Sequence, residues 1–127
     1  MSTSTTTPSA PPPVGHYPHA RRVGGLLFLS GIGPRSPEGG PVPEGMEAQC
    51  RAVFANVRKV LEASGSAWDR LVDVTVFLTD IPRDFEVFNR LWAEHFPRDP
   101  PCRTTVEVTR LPTPIAIELK CIATVED

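Results

Sequence analysis

The stretch PPCRTTVEVTRLPTPIAIELK, residues 100 to 120, contains two segments of alternating side chains on either side of a proline-rich turn. Successive side chains of a strand point to opposite faces of a sheet. In the first segment Val106 and Val108 share one face, and the opposite face carries Arg103, Thr105 and Glu107. The stretch therefore predicts two adjacent terminal strands, each with two different faces.

The second segment sets Ile115, Ile117, Leu119 and Cys121 against Ala116, Glu118, Lys120 and Ile122. The aliphatic sides of both strands are expected to pack beneath helices. The other sheet face then mixes charged and apolar side chains, namely Arg103, Glu107, Glu118, Lys120, Phe77 and Ile122. Such a face is typical of a subunit interface that also encloses a polar site. Alternating charge on an antiparallel sheet is otherwise the mark of a solvated face.

The rest of the chain supplies two helices and three more strands. A period of three to four residues predicts helices over 46–65 and from 82 or 84 to 96, and alternation predicts strands over 17–23, 26–30 and 71–79. With strands over 103–110 and 115–125, the order is ββαβαββ. We expect an α+β domain in which two helices cover one face of a single sheet.

The 127 residues suit one domain. Residues 1–13 are almost entirely Ser, Thr, Ala and Pro, a composition that predicts a flexible tail before a domain over 14–127. The net charge is −2, and no long basic run is present, so a nucleic-acid partner is not expected. No signal peptide or membrane span is predicted. Three cysteines without CxxC spacing favour a reducing cytoplasm.

Several single features carry competing interpretations. His16 and His19 lie three residues apart, but no third ligand is apparent, and so no metal site is predicted. The GIG run at 31–33 is not followed directly by a helix and does not have the spacing of a dinucleotide loop. Cys102 is expected to face away from Arg103 as a small buried side chain.

The segments PCRTTVEVTRLP and IAIELKCIA resemble the Arg-containing signature and the last strand of the RidA (YjgF-type) family of imine and enamine deaminases. HYPHARRVGGLLFLSG is similar to the opening hairpin of that family, LVDVTVFLTDI to its central strand and DFEVFNRLWAEHF to its second helix. The resemblance implies a chorismate-mutase-like fold. It also implies a homotrimer whose sheets form a central barrel, with active sites between subunits.

The resemblance further assigns roles to residues, with no cofactor and no metal. Arg103 is the expected clamp for a substrate carboxylate, and Glu118 is expected to orient or activate water. Four further positions are implied as substrate-binding residues: Tyr17, Gly31, Asn89 and Thr105. An imine is already electrophilic, so positioning and proton transfer are sufficient for its hydrolysis.

Two departures bear on the substrate. The run SGIGPR lacks a Gln that many family members carry, and Thr105 stands where a Cys is common. Arg35, the PHxxR motif and RTTV look like the 2-aminomuconate deaminase subgroup of aromatic-compound catabolism. A six-carbon diacid needs a second cation, for which Arg35 is the first candidate, followed by His19, Arg22 and Lys120.

Three functions are therefore open. The first is hydrolysis of 2-aminomuconate to 2-oxohex-3-enedioate (4-oxalocrotonate) and ammonia. The second is a broad deaminase of 2-iminobutanoate and 2-iminopropanoate, and the third is a non-catalytic or RNA-directed interaction protein.

Overall fold

Two helices lie on one face of a six-stranded mixed sheet in the computed structural model of the protein, which describes residues 2–126. The strands are β1 (Ser2–Thr5), β2 (Ala20–Val23), β3 (Leu26–Leu29), β4 (Leu71–Leu78), β5 (Cys102–Glu107) and β6 (Ile117–Thr124). The helices are α1 (Met46–Ala63) and α2 (Ile81–His95), and a short 3-10 helix (Trp68–Arg70) precedes β4. The predicted α+β class with two helices on one face is confirmed.

The strand order is β1-β2-β3-β6-β4-β5. All neighbouring strands are antiparallel except β4 and β5. These two are parallel because α2 returns the chain to the end of the sheet at which β4 begins. The prediction of adjacent terminal strands is therefore wrong, since β4 lies between β5 and β6. Strand β5 forms one edge of the sheet.

The core lies between the helices and one face of the sheet. Strands β4 and β6 alternate as predicted, with one side of each fully buried: Val74, Val76, Leu78, Ile117, Leu119 and Cys121. The buried apolar side chains of α1 pack against this side of the sheet: Cys50, Val53, Phe54, Val57, Val60 and Leu61. Each helix forms because its apolar residues recur at helical spacing and need one common surface to bury.

The predicted facing of β5 is wrong. Its parallel register sets Arg103 beside Val74 and Thr105 beside Val76, and both valines face the helices. Arg103 and Thr105 therefore face the helices too, whereas Val106 faces the open side and is 37% exposed. An edge strand beside a helix end can satisfy polar side chains locally.

Glu107 of β5 is one polar side chain that the helix satisfies in this way. Glu107 accepts a hydrogen bond from the Ile81 amide at 2.8 Å and so caps the start of α2. Cys102, expected to be buried, is exposed.

The segment predicted as a flexible tail, residues 1–13, contains a strand over Ser2–Thr5, followed by turns and irregular backbone. Strand β1 forms the other edge of the sheet and pairs with β2, with Thr3 opposite Arg22 and Thr5 opposite Ala20. Further on, Ala10 is 2% exposed. Backbone pairing holds the segment, and composition carries no signal for such pairing. Residues 1 and 127, which belonged to the predicted tail and domain, lie outside the described residues.

Between residues 2 and 126, neither helix has the length and apolar character needed to cross a bilayer.

Candidate active site

Five of the predicted site residues line one pocket: Tyr17, His19, Gly31, Arg35 and Glu118. The N-terminal segment forms one wall of the pocket with Pro11, Pro13 and Val14. The volume is about 30 Å³, which suffices for a water molecule. Within one chain the pocket is too small to enclose a six-carbon acid.

Glu118 lies on the open face of β6, where it pairs with Phe77 of β4. Burial raises the pKa of its carboxyl group, and the positive charge of Arg35 partly opposes that rise. The floor beside it is attached to β6, because Ile32 and Leu119 exchange two backbone hydrogen bonds of 2.9 Å. A carboxylate whose pKa is raised is a stronger general base than an ordinary glutamate.

Arg35 approaches the same pocket from the loop after β3. One of its guanidinium nitrogens donates to the Pro12 carbonyl at 2.7 Å. Its backbone carbonyl accepts a hydrogen bond from the Asn56 side chain at 2.8 Å, and that amide also donates to the Gly33 carbonyl at 2.9 Å. The buried Asn56 therefore fixes the path of the loop that presents Arg35.

Tyr17 is 41% exposed at the pocket mouth. Its hydroxyl oxygen accepts a hydrogen bond from the Val14 amide at 3.3 Å. The hydroxyl proton can then be donated to a ligand, because the contact with Val14 uses an oxygen lone pair.

His19, a predicted substrate residue and candidate second cation, has a different role. Its side chain lines the pocket but the residue is only 2% exposed. Nδ1 accepts a hydrogen bond from the Thr7 amide at 3.1 Å, and Nε2 donates to the Pro11 carbonyl at 2.7 Å. With both ring nitrogens used in this way, His19 anchors the N-terminal segment and has no ring N–H left to donate to a second carboxylate.

The other two candidate cations, Arg22 and Lys120, do not line the pocket. Arg22 donates to the Gly24 carbonyl at 3.0 Å, and Lys120 donates to the Leu29 carbonyl. Of the four cations considered for a second carboxylate, Arg35 is the one that the pocket favours.

Arg103 lies elsewhere, between the edge strand β5 and α2. Its guanidinium donates to the Asn89 side-chain oxygen at 2.8 Å. Burial lowers the pKa of Arg103, and no carboxylate among residues 2–126 forms an ion pair with it. A partly buried cation without an anion is a suitable site for an anionic ligand.

Thr105 lies two residues after Arg103 on the same face of β5. Its hydroxyl oxygen is buried and has no hydrogen-bond partner within the described part of the chain. A buried hydroxyl without a partner costs about 1–3 kcal/mol, so a partner from outside the chain is expected.

Arg103 and Glu118, which are expected to act on one substrate between subunits, do not meet within a single chain. The two residues lie on opposite faces of the sheet, with β4 between their strands. Their backbones are two strand spacings apart, about 10 Å across the sheet. Within one chain, the two side chains therefore do not face a common pocket.

The open face of the sheet carries exposed apolar side chains on strands β3 and β5. Leu26 is 41% exposed, Phe28 36% and Val106 37%. Contiguous apolar side chains of this kind are typical of an association surface.

Three groups of residues around the candidate site were not predicted from the sequence. They are Asn56, the wall residues 11–14, and the rings of α2 that contact Arg103. A polar residue such as Asn56 beside the apolar stripe of α1 was a usable signal. The other two groups depend on contacts between distant parts of the chain, for which local pattern gives no signal.

Comparison with known proteins is consistent across the chain. Residues 7–125 match the family described as Endoribonuclease L-PSP. A RutC family protein of Pyrococcus horikoshii is 39% identical over 118 residues, which cover 92% of this chain and 93% of the relative. Reactive Intermediate Deaminase A, chloroplastic, of Arabidopsis thaliana is 38% identical over 120 residues, covering 94% of this chain and 64% of the relative.

Solved structures agree with this assignment. The crystal structure of RidA from the Antarctic bacterium Psychrobacter has a TM-score of 0.92 at 32% identity, with 97% of this chain and 99% of that chain covered. Both the sequence match and the fold therefore extend over nearly the whole length. The chain belongs to the RidA (YjgF-type) family, whose sequence model is the Endoribonuclease L-PSP family.

Proposed function

We propose that the protein is a cofactor-independent imine and enamine deaminase whose active site forms between copies of the chain. The name of the Arabidopsis relative, a reactive intermediate deaminase, supports the reaction. In this proposal the chain is a homotrimer whose open sheet faces form a central barrel. The exposed apolar side chains of those faces support such an association.

The observation that carries the proposal is the separation of Arg103 from Glu118 on opposite sheet faces. Arg103 and Glu118 each lie in a site that the residues of a single chain leave incomplete. A cyclic assembly brings the β5 edge of one copy to the pocket of the next. Arg103 of one copy and Glu118 of another then contact one substrate.

The chemistry follows from these two groups. Arg103 holds the carboxylate next to the imine carbon with two parallel hydrogen bonds, which fixes the reacting carbon in place. Glu118 takes a proton from water as the oxygen adds to the imine carbon. The same carboxyl group returns that proton to the nitrogen, which gives a carbinolamine. It then takes the proton of the new hydroxyl group and passes it to the nitrogen as the C–N bond breaks, which gives the 2-oxo acid and ammonia.

The finer proposal concerns the substrate. Arg35 shares the pocket with Glu118, and its guanidinium has further donors besides the one bonded to Pro12. A second carboxylate at Arg35 would suit a six-carbon diacid. We therefore propose 2-aminomuconate, converted to 2-oxohex-3-enedioate after the enamine tautomerises, in aromatic-compound catabolism.

The broad 2-imino acid deaminase is the second candidate, because the Arabidopsis relative is named for reactive intermediates in general. Arg35→Ala assayed on 2-aminomuconate and on iminopyruvate distinguishes the two. A loss confined to 2-aminomuconate supports the diacid. Equal losses on both substrates, or none on either, remove it.

The family description also names an endoribonuclease, which revives the RNA-directed candidate. RNA binding that falls steeply with salt and survives both Arg103→Ala and Glu118→Ala would favour that role. The net charge of −2 argues against it. The three free cysteines support a reducing compartment, and we propose the cytoplasm.

Mixing two inactive variants tests the shared site. Arg103→Ala and Glu118→Gln are unfolded together and refolded in equal amounts, and each variant refolded alone is the control. If every site takes its two groups from different copies, roughly a quarter of the sites regain both groups. No recovery, in mixtures that assemble like the wild type, would show that the site does not lie between copies.

A further inference from the structure

The guanidinium of Arg103 is surrounded by three aromatic rings of α2. Its central carbon lies 5.8 Å from the ring centre of Phe85, 4.9 Å from that of Phe88 and 5.2 Å from that of Trp92. These positions lie on one stripe of the helix, because residues three or four apart share a face. On the helix side, Arg103 is thus enclosed by three rings and the Asn89 side chain.

The rings and the Asn89 amide restrict Arg103 without neutralising it. A guanidinium is attracted to the face of an aromatic ring, and Asn89 accepts from one of its nitrogens at 2.8 Å. None of these partners carries a negative charge. A carboxylate in their place would also fix the side chain, but it would compete with an anionic ligand for the same donors.

Ordinary core packing does not account for this arrangement. Phe88 is 0% exposed and Trp92 is 9% exposed, so both belong to the core, yet they also face a charged group. Arg103 is desolvated enough for burial to lower its pKa. A cation in this position is held ready in one orientation, with the donors not used by Asn89 available to a ligand.

We propose that Phe85, Phe88 and Trp92 are positioning residues that orient the guanidinium of Arg103 for the substrate carboxylate. The inference rests on the proposed function, because it takes Arg103 as the carboxylate clamp. The rings act through Arg103 and do not touch the reacting atoms. Their removal weakens substrate binding through a looser and more hydrated guanidinium.

Phe88→Leu tests the proposal, with Phe54→Leu as the matched control. Both rings are almost fully buried in the same core cluster. Phe54 packs against Phe88 and Trp92, with ring centres 6.4 Å away in each case, but is not itself one of the rings around Arg103. We expect Phe88→Leu to raise KM for an imino acid about fivefold with little change in kcat. Phe54→Leu should lose comparable thermal stability while KM stays within about twofold of the wild type.

A double-mutant cycle removes effects of general destabilisation. In an Arg103→Lys background, Phe88→Leu should cause no further rise in KM, because the guanidinium on which the ring acts is gone. Phe85 is only partly buried and allows a milder pair of variants. Phe85→Tyr keeps a ring and should retain the wild-type KM, whereas Phe85→Leu should raise it.

Two outcomes overturn the proposal. One is an equal rise in KM for Phe88→Leu and Phe54→Leu, and the other is a Phe88→Leu effect that persists in Arg103→Lys. Calorimetric binding of a 2-oxo acid product separates this result from failure of the proposed function. Unchanged binding in Arg103→Ala would remove both proposals, whereas lost binding there with wild-type binding in Phe88→Leu would remove the positioning role alone.

Discussion

The carboxyl group of Glu118 lies directly against the backbone of Gly31. A Cβ atom at residue 31 would lie 2.9 Å from the carboxyl carbon and 2.9 Å from Oε2. Such contacts are closer than packed atoms tolerate. The missing side chain at Gly31 is therefore what allows Glu118 to occupy its position in the pocket.

Gly31→Ala should displace the Glu118 carboxyl group and lower kcat by about 10- to 100-fold. Gly33→Ala is the matched control, because its Cβ would meet only the Cδ1 atom of Ile115, also at 2.9 Å. That methyl group can move aside without changing the carboxylate. Similar losses of kcat in both variants would contradict this account of Gly31.

The pH dependence of catalysis should reflect the raised pKa of Glu118. A base must be deprotonated, so kcat/KM should rise with pH along a limb that lies above the ordinary range of a glutamate. Arg35→Gln removes a charge that lowers this pKa, and the limb should then move to higher pH. A limb that does not move, measured from pH 4 to 8, would argue against Glu118 as the titrating group.

The same shift predicts a stability effect of definite sign. With its pKa raised in the folded state, Glu118 binds more protons folded than unfolded between the ordinary and the raised value. Stability should therefore fall as pH rises through that window. Glu118→Gln should flatten the dependence of Tm on pH there and raise Tm at neutral pH. A steeper dependence in the variant would be the opposite of what the buried carboxyl group requires.

The anchoring role of His19 can be measured on the N-terminal segment. His19→Ala removes the hydrogen bonds to Thr7 and Pro11 and should cost about 1–3 kcal/mol of unfolding free energy. Proteolysis within residues 7–14 should become faster. His16→Ala is the control, because His16 is exposed three residues away. Equal effects in the two variants would refute the anchor.

The orphan hydroxyl of Thr105 gives a further test. Thr105→Val keeps the shape of the side chain and removes a group without a partner between residues 2 and 126, so Tm should not fall. If substrate supplies the partner, KM should rise a few-fold, and Thr105→Ser should keep the wild-type value. A lower Tm with unchanged KM would assign the hydroxyl to the fold.

The helices and the two central strands could be predicted because each has one face fully buried and one not. Phe54 of α1 and Leu91 of α2, for example, belong to sets of apolar residues that recur at helical spacing. Val76 and Leu119 alternate with less buried residues along their strands. The facing of β5 could not be predicted this way. Its Arg103 and Glu107 side chains are satisfied by α2, and its apolar Val106 is left on the open side.

The sequence predicted which residues belong to the candidate site but not how the fold arranges them. Resemblance indicated Arg103 and Glu118, but nothing local shows that β4 separates their strands. The bond between Arg103 and Asn89 joins residues 14 positions apart, and its formation depends on the parallel return of the chain after α2. Long-range pairing decided each of these points.

The parallel pairing of β4 with β5 also constrains the connection over residues 96–101. Side chains of a strand change face with every residue, so a one-residue deletion that slips β5 along β4 would turn Arg103 outward and bring Thr104 inward. The guanidinium would then leave α2 altogether. The register of β5, and with it the length of the connection that leads into the strand, therefore decides whether the arginine reaches the helix.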